Sequence, residues 1–249
     1  MSNSAGDEPP KFPMRVSDFL AESDRYLNRG DIILTRGNYF SSRLIRMIIG
    51  GFFSHAALVF LVPQRQNGFN NTFILESMPT GIGLATLKSY IGGNRPSEDI
   101  AILRMKGRGF DYAYFMQVGA LMLDYVKTAY DFGRAINLGL SLFFRLRRKW
   151  AKTGRPFSIM KHWAPSQFIC SGFIQYGFVE AMRRQGMNPT QAIFKQGISS
   201  EDRGGLLATS PQDIAESQNP KWLYAVRRGW VYEVQSYEEA RKIISGASP

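Results

Sequence analysis

Cys170 is the only cysteine in 249 residues, and it lies in the stretch FICSGFI. A lone thiol makes neither an internal disulfide nor a Cys-rich zinc site, which leaves two uses for it. It can be a small buried hydrophobe, the commonest use of a free cysteine. It can also be a nucleophile, given a base, a group that orients the base and a donor environment. There are two histidines, His55 in GGFFSHAALVF and His162 in MKHWAPSQ. His55 begins a strand-like apolar run, where an imidazole is either structural or a base. His162 sits in a polar loop and reads as an exposed or capping residue. Glu76 closes the next strand-like run, TFILES. If the two runs pair as a hairpin, Glu76 lies beside His55 on one face. A buried carboxylate there would hold the imidazole tautomer and stabilise the imidazolium. The alternative is an edge-strand carboxylate facing water.

The elements that must position these groups follow from apolar runs and their punctuation. GDIILTRG (30–37), HAALVFLV (55–62), TFILES (72–77), IAILRM (100–105), WLYAVR and WVYEV read as strands. SSRLIRMIIGG reads as a helix capped by Ser41 or Ser42, with Leu44, Ile45, Ile48 and Ile49 on one face and Gly50–Gly51 as its stop. A largely helical stretch is expected from Tyr112 to Trp150, interrupted near YDFG. Cys170 opens a helix, SGFIQYGFVEAMRRQG, that Gly186 closes. A thiol so placed meets unpaired N–H groups and the helix dipole, which favour thiolate. RGGLL (203–207) reads as a flexible turn. TSPQDIAES carries Ser210 as N-cap, Pro211 at the first helical position and Asp213 in the first turn. SYEEARKIIS starts with a Ser236-x-x-Glu239 capping box. Residues 1–14 are Pro-rich and polar and are expected to form a disordered tail, with one α+β domain over 15–249.

The net charge of +11 is unevenly spread. Between Asp131 and Glu180 there is no acid, while Arg134, Arg145, Arg147, Arg148, Lys149, Lys152, Arg155 and Lys161 are all cationic. Such a segment can attract an anionic lipid surface, a nucleic acid or an acidic substrate, or simply be a solvated face. INLGLSLFF followed by RLRRKW has the make-up of an interfacial segment, so residues 134–155 are a candidate contact with an anionic membrane. No groove-reading module accompanies the cations, and no specific nucleic acid is expected. Two histidines more than a hundred residues apart, with no HExxH or CxxC, make a poor ligand set, so neither a metal nor another cofactor is expected. The N-terminus has no apolar signal region and no window reaches the length of a spanning helix, so a cytoplasmic protein, peripheral to a membrane at most, is expected.

GDIILTRG, FFSHAALVF, FILESMPTGIGLATL, YDFG, FICSGFIQYGF and TSPQDIAES together resemble the circularly permuted papain-like amidases of the YiiX/YaeF type, a branch of the NlpC superfamily of cysteine peptidases. Unpermuted members read Tyr-x-x-Gly, then Cys-Ser-Gly-Phe, then a strand with Ser-His, then a polar third residue. Here the His–Glu half comes first and the Tyr–Cys half second. A catalytic constellation is defined by geometry, not chain order, so permutation does not disable it. The resemblance, which runs from about Gly30 to Ser217, implies a permuted papain-like (NlpC-type) α+β fold. In that fold an antiparallel sheet packs against the helix bearing the catalytic cysteine. It further implies Cys170 as nucleophile, His55 as base, Glu76 as orienting group and Tyr130 near the oxyanion position. The interval from Tyr130 to Cys170 is longer than the family leads one to expect, so residues 134–161 read as a helical, basic insertion. The implied activity is hydrolysis of a peptide or amino-acid amide, including cell-wall fragments, through an acyl-thioester. Two other readings remain open: a membrane-surface thiol acyltransferase or lipid-ester hydrolase, and a non-catalytic basic nucleic-acid binder.

Overall fold

The computed structural model describes residues 11–37, 42–43, 46–47, 50–63, 70–78, 81–92, 99–107, 109–124 and 169–246. Tyr130, His162 and the expected insertion at 134–161, with its basic run 134–155, lie outside the described residues.

Strands β1 (Met14–Arg15), β2 (Ile32–Arg36), β3 (His55–Leu61), β4 (Phe73–Met78), β5 (Gly81–Thr86), β6 (Asp99–Met105), β7 (Pro220–Arg227) and β8 (Trp230–Glu233) form one antiparallel sheet. Their order is β1-β8-β7-β6-β2-β3-β4-β5. The central strands are covered on both faces, which is why their sequences are unbroken apolar runs. Ile32, Leu34, Ala56 and Leu58 point into one core, and Ile33, Ala57 and Val59 into the other.

The first core lies under α4 (Tyr112–Asp124), α5 (Ile169–Arg184), α6 (Arg203–Leu207), α7 (Pro211–Glu216) and α8 (Tyr237–Ser245). The second lies under α1 (Val16–Ala21), α2 (Ser23–Tyr26) and α3 (Leu87–Ile91), through Phe19, Tyr26 and Tyr90. The result is an α+β fold in which the antiparallel sheet packs against α5. Tyr114 of α4 donates to the Phe178 carbonyl of α5 at 2.8 Å, which ties these two helices. Gln175, fully buried, donates to the Ala192 carbonyl and accepts from the Phe194 N–H, each at 2.7 Å, so α5 also holds the chain that follows it. Gly186 follows α5 at φ +67, a conformation suited to glycine.

Several sequence expectations need correction. RGGLL is a helix, α6, whose cap Asp202 accepts from the Gly205 N–H. β5 and α3 were not anticipated. The capping box at Ser236 is only half formed: its side chain accepts from Glu239 N–H, but the Glu239 carboxylate takes the Gln235 N–H at 2.8 Å. At Ser210 the box is complete. Where the polar tail was expected to reach residue 14, Phe12 stacks on Tyr224 and Met14 pairs with Val231.

Candidate active site

α5 begins at Ile169, so Cys170 stands in its first turn, only 6% exposed. N–H groups there have no intrahelical acceptor and can turn to an anion. The Ser171 N–H does so, bonding the sulphur, and a second amide comes from Ala56 of β3. Strand geometry explains the second. The N–H and C=O of Val59 both face β2, bonding Asp31 and Gly30 at 2.8 Å. Backbone direction alternates along a strand, so Ala56 turns its groups toward β4. The β3–β4 ladder starts only at Ala57 opposite Glu76, leaving the Ala56 N–H beyond its end and available to the thiol.

The sequence CSGF is explained by the chain that crosses this turn. Ser171, fully buried, donates to the Thr209 carbonyl at 2.7 Å. Gly172 faces the end of α6 so closely that a Cβ there would stand 1.9 Å from the Leu207 carbonyl oxygen. Only glycine admits that approach. On the other side, the Phe52 N–H donates to Gln212 Oε1 at 2.7 Å, and Gln212 is itself held by Glu216 and the Tyr237 hydroxyl. Ser54 donates to the Thr35 carbonyl and accepts from the Gly37 N–H. The segment leading to His55 is therefore fixed to both α7 and β2.

His55 opens β3 opposite Thr35, and Glu76 lies opposite Ala57, so the imidazole and carboxylate meet diagonally across the β3–β4 pair. His55 Nε2 is 3.5 Å from Glu76 Oε2. That is charge contact, and Nε2 has no formed hydrogen bond. With Nε2 toward Glu76, Nδ1 is the nitrogen left for the thiol. Glu76 is 7% exposed, and the Tyr90 hydroxyl donates to its Oε2. The structure thus brings Cys170, His55 and Glu76 together.

Burial pushes the Cys170 thiol up, but the His55 charge, the His55 hydrogen bond and the two amides outweigh it and leave the thiol below its ordinary 9.0. Burial alone would lower His55. The Cys170 charge and hydrogen bond, followed by the contact with the Glu76 carboxylate, push it up to about 10 instead. Both shifts favour the thiolate–imidazolium form of the pair, an arrangement able to attack an acyl carbon and protonate a leaving group. Among the described residues, no group of three or more His, Cys, Asp and Glu side chains could hold a metal ion.

Sequence reasoning missed Tyr90, Gln212 and the Ala56 amide. The need of a buried carboxylate for a donor was a signal for something like Tyr90, but only the β4–β5–α3 path identifies it. Gln212 lies in TSPQDIAES, where the cap residues drew attention and the glutamine followed no pattern.

No family model matches this chain, and no curated protein matches it. Among solved structures it is similar to a crystal structure described as that of the metalloprotein yiiX from Escherichia coli O157:H7. The identity is 16%, the match covers 81% of this chain and 99% of that one, and the TM-score is 0.46. Among the described residues, no helix is long and apolar enough to cross a membrane.

Proposed function

We propose that the protein is a cysteine hydrolase that cleaves an amide through an acyl-thioester on Cys170. The observation that carries the reading is the buried Cys170–His55 pair, backed by Glu76 and by two amides on the sulphur. The Cys170 thiolate adds to the amide carbonyl. As the tetrahedral adduct collapses, the His55 imidazolium gives its proton to the departing amine, and the C–N bond breaks to leave the thioester. Neutral His55 then takes a proton from water as the water adds to the thioester carbonyl. Collapse expels the Cys170 thiolate, releases the carboxylic acid and restores imidazolium. Glu76 stabilises the imidazolium throughout. In this reading residues 15–249 form one permuted papain-like domain, and Tyr130 lines the oxyanion region.

Intact-mass measurement during turnover of a panel of peptide and amino-acid amides tests the proposal. The expected result is one acyl adduct on the parent and none on Cys170→Ala. Equal turnover by Cys170→Ala would sink the reading.

A further inference from the structure

The end of the sheet where β3 begins is crowded with guanidinium groups. β2 runs past Thr35, the partner of His55, to Arg36, whose ladder partner is Asp99. Arg227, Arg36 and Arg228 all act on that one carboxylate. Arg43 and Arg46, from the helical turn after β2, arrive at the same end. Arg46 donates to the Gly37 carbonyl, and Gly37 is bonded to the Ser54 hydroxyl one residue before His55. Arg46 is half-buried, and burial, Arg36 and Arg43 all act against its charged form. Arg36 lies 4.4 Å over the Phe52 ring with its Nε buried and without a hydrogen-bond partner. From Ile32 to Leu75 the chain carries Arg36, Arg43, Arg46 and Arg65 and no acid at all.

A merely solvated basic face would send each guanidinium into water, away from its neighbours. Here Arg36 and Arg46 are drawn inward, beside the segment that carries the base. Guanidinium forks pair with planar or tetrahedral oxyanions through paired N–H donors, and such a ligand would relieve the mutual repulsion. We propose that Arg36, Arg43 and Arg46 form an oxyanion subsite next to the Cys170–His55 pair, and that the acyl substrate carries a carboxylate or a phosphate. This rests on the reading of Cys170 as nucleophile and adds the charge class of its substrate.

The single thiol allows a test that needs no known substrate. Iodoacetate and iodoacetamide differ by one charge and label the same sulphur. The parent's preference for iodoacetate over iodoacetamide, each referred to a free thiol, is expected to fall by about twofold or more in Arg43→Gln/Arg46→Gln, since two cations that attract the carboxylate reagent through salt-screened water are lost. Inorganic phosphate and acetate, at ionic strength fixed with sodium chloride, should slow iodoacetate labelling of the parent more than of the variant. Stronger slowing by phosphate assigns a phosphate-bearing substrate, and stronger slowing by acetate a carboxylate. An unchanged preference in the folded variant, or slowing by neither anion, overturns the subsite while leaving iodoacetamide labelling fast. Iodoacetamide labelling no faster than in the unfolded chain overturns the nucleophile reading, and the subsite with it. Should the double variant not fold, the exposed Arg43→Gln alone serves the same comparison.

Discussion

At the scale of single residues, the pair Cys170–His55 predicts two different pH profiles for one site. Turnover needs the thiolate and the imidazolium together, so it should rise on a limb below the ordinary thiol value of 9.0 and fall again near pH 10 as His55 loses its proton. Alkylation by iodoacetamide needs only thiolate and should show no such fall. Identical profiles for the two would mean that His55 gives no proton to the leaving group. The same shifts couple to stability with opposite signs. His55, raised, contributes stability that is complete below its ordinary 6.5 and is lost as pH rises through about 10. Cys170, depressed, contributes stability present above 9.0 and lost as pH falls through its lower folded value. Behind the pair, Glu76→Gln keeps a hydrogen-bonding group but removes the charge that supports imidazolium. It should shift the alkaline limb to lower pH and cut kcat/KM about a hundredfold, less than Cys170→Ala does. Adding Glu76→Gln to His55→Ala should cost little more, since the residues act as a unit. Tyr90→Phe takes a donor from the buried carboxylate and should cost about 1.5–3 kcal/mol in urea unfolding, since that hydrogen bond is to a charged group.

At the scale of elements, what matters is how closely α6 approaches the first turn of α5. Gly172→Ala forces a Cβ onto the Leu207 carbonyl, which is backbone and cannot swing aside. A loss of about 1–3 kcal/mol is expected in thermal or urea unfolding, with the Cys170 inflection moving upward as the turn is displaced from the Ala56 amide. Gly83→Ala, where a Cβ meets nothing within 4 Å, is the control and should lie within about 0.5 kcal/mol of the parent. Equal effects at the two glycines would mean that the α5–α6 contact is not rigid. The same contact marks what was legible in the sequence. β2, β3, β4 and β6 were readable because strands buried on both faces need uninterrupted apolar runs, and α5 and α7 because Gly186 and Ser210 punctuate them. His55 and Glu76 were readable as neighbours because a hairpin follows from two such runs. α6 was not readable, because Arg203–Leu207 has two glycines in five residues and is helical only through Asp202 and its packing on α5. Neither was the Ala56 amide, since where a ladder stops depends on register and not on residue type.

At the scale of the whole molecule, stability and chemistry occupy opposite ends of one strand. β2 ends beside His55, and just before it starts sits Asp31, fully buried. Arg104 of β6 grips Asp31 with two hydrogen bonds, 2.7 and 2.8 Å long, and also donates to the Tyr26 carbonyl at the end of α2. The Asn28 N–H supplies a further bond at 2.8 Å. This cluster joins the second helical layer to the centre of the sheet, and at about 3.3 Å per residue it lies roughly 13 Å from Thr35. Nothing in the sequence joins residues 31 and 104, because the pair exists only once β2 and β6 are adjacent. Removing one partner of such a pair leaves a buried charge without its counterpart, which costs far more than the pair itself contributes. Arg104→Met and Asp31→Leu should each therefore cost about 3–5 kcal/mol, while the double variant should recover much of that loss. Thermal unfolding of the four proteins measures this, and iodoacetamide labelling of Cys170 below the transition should stay at the parental rate in every folded variant. Losses that simply add would mean that Arg104 and Asp31 act separately, Arg104 through Tyr26 and Asp31 through Asn28. A slowed thiol in the folded double variant would mean that β2 transmits strain along its length to His55, so that the two ends of the strand are not independent.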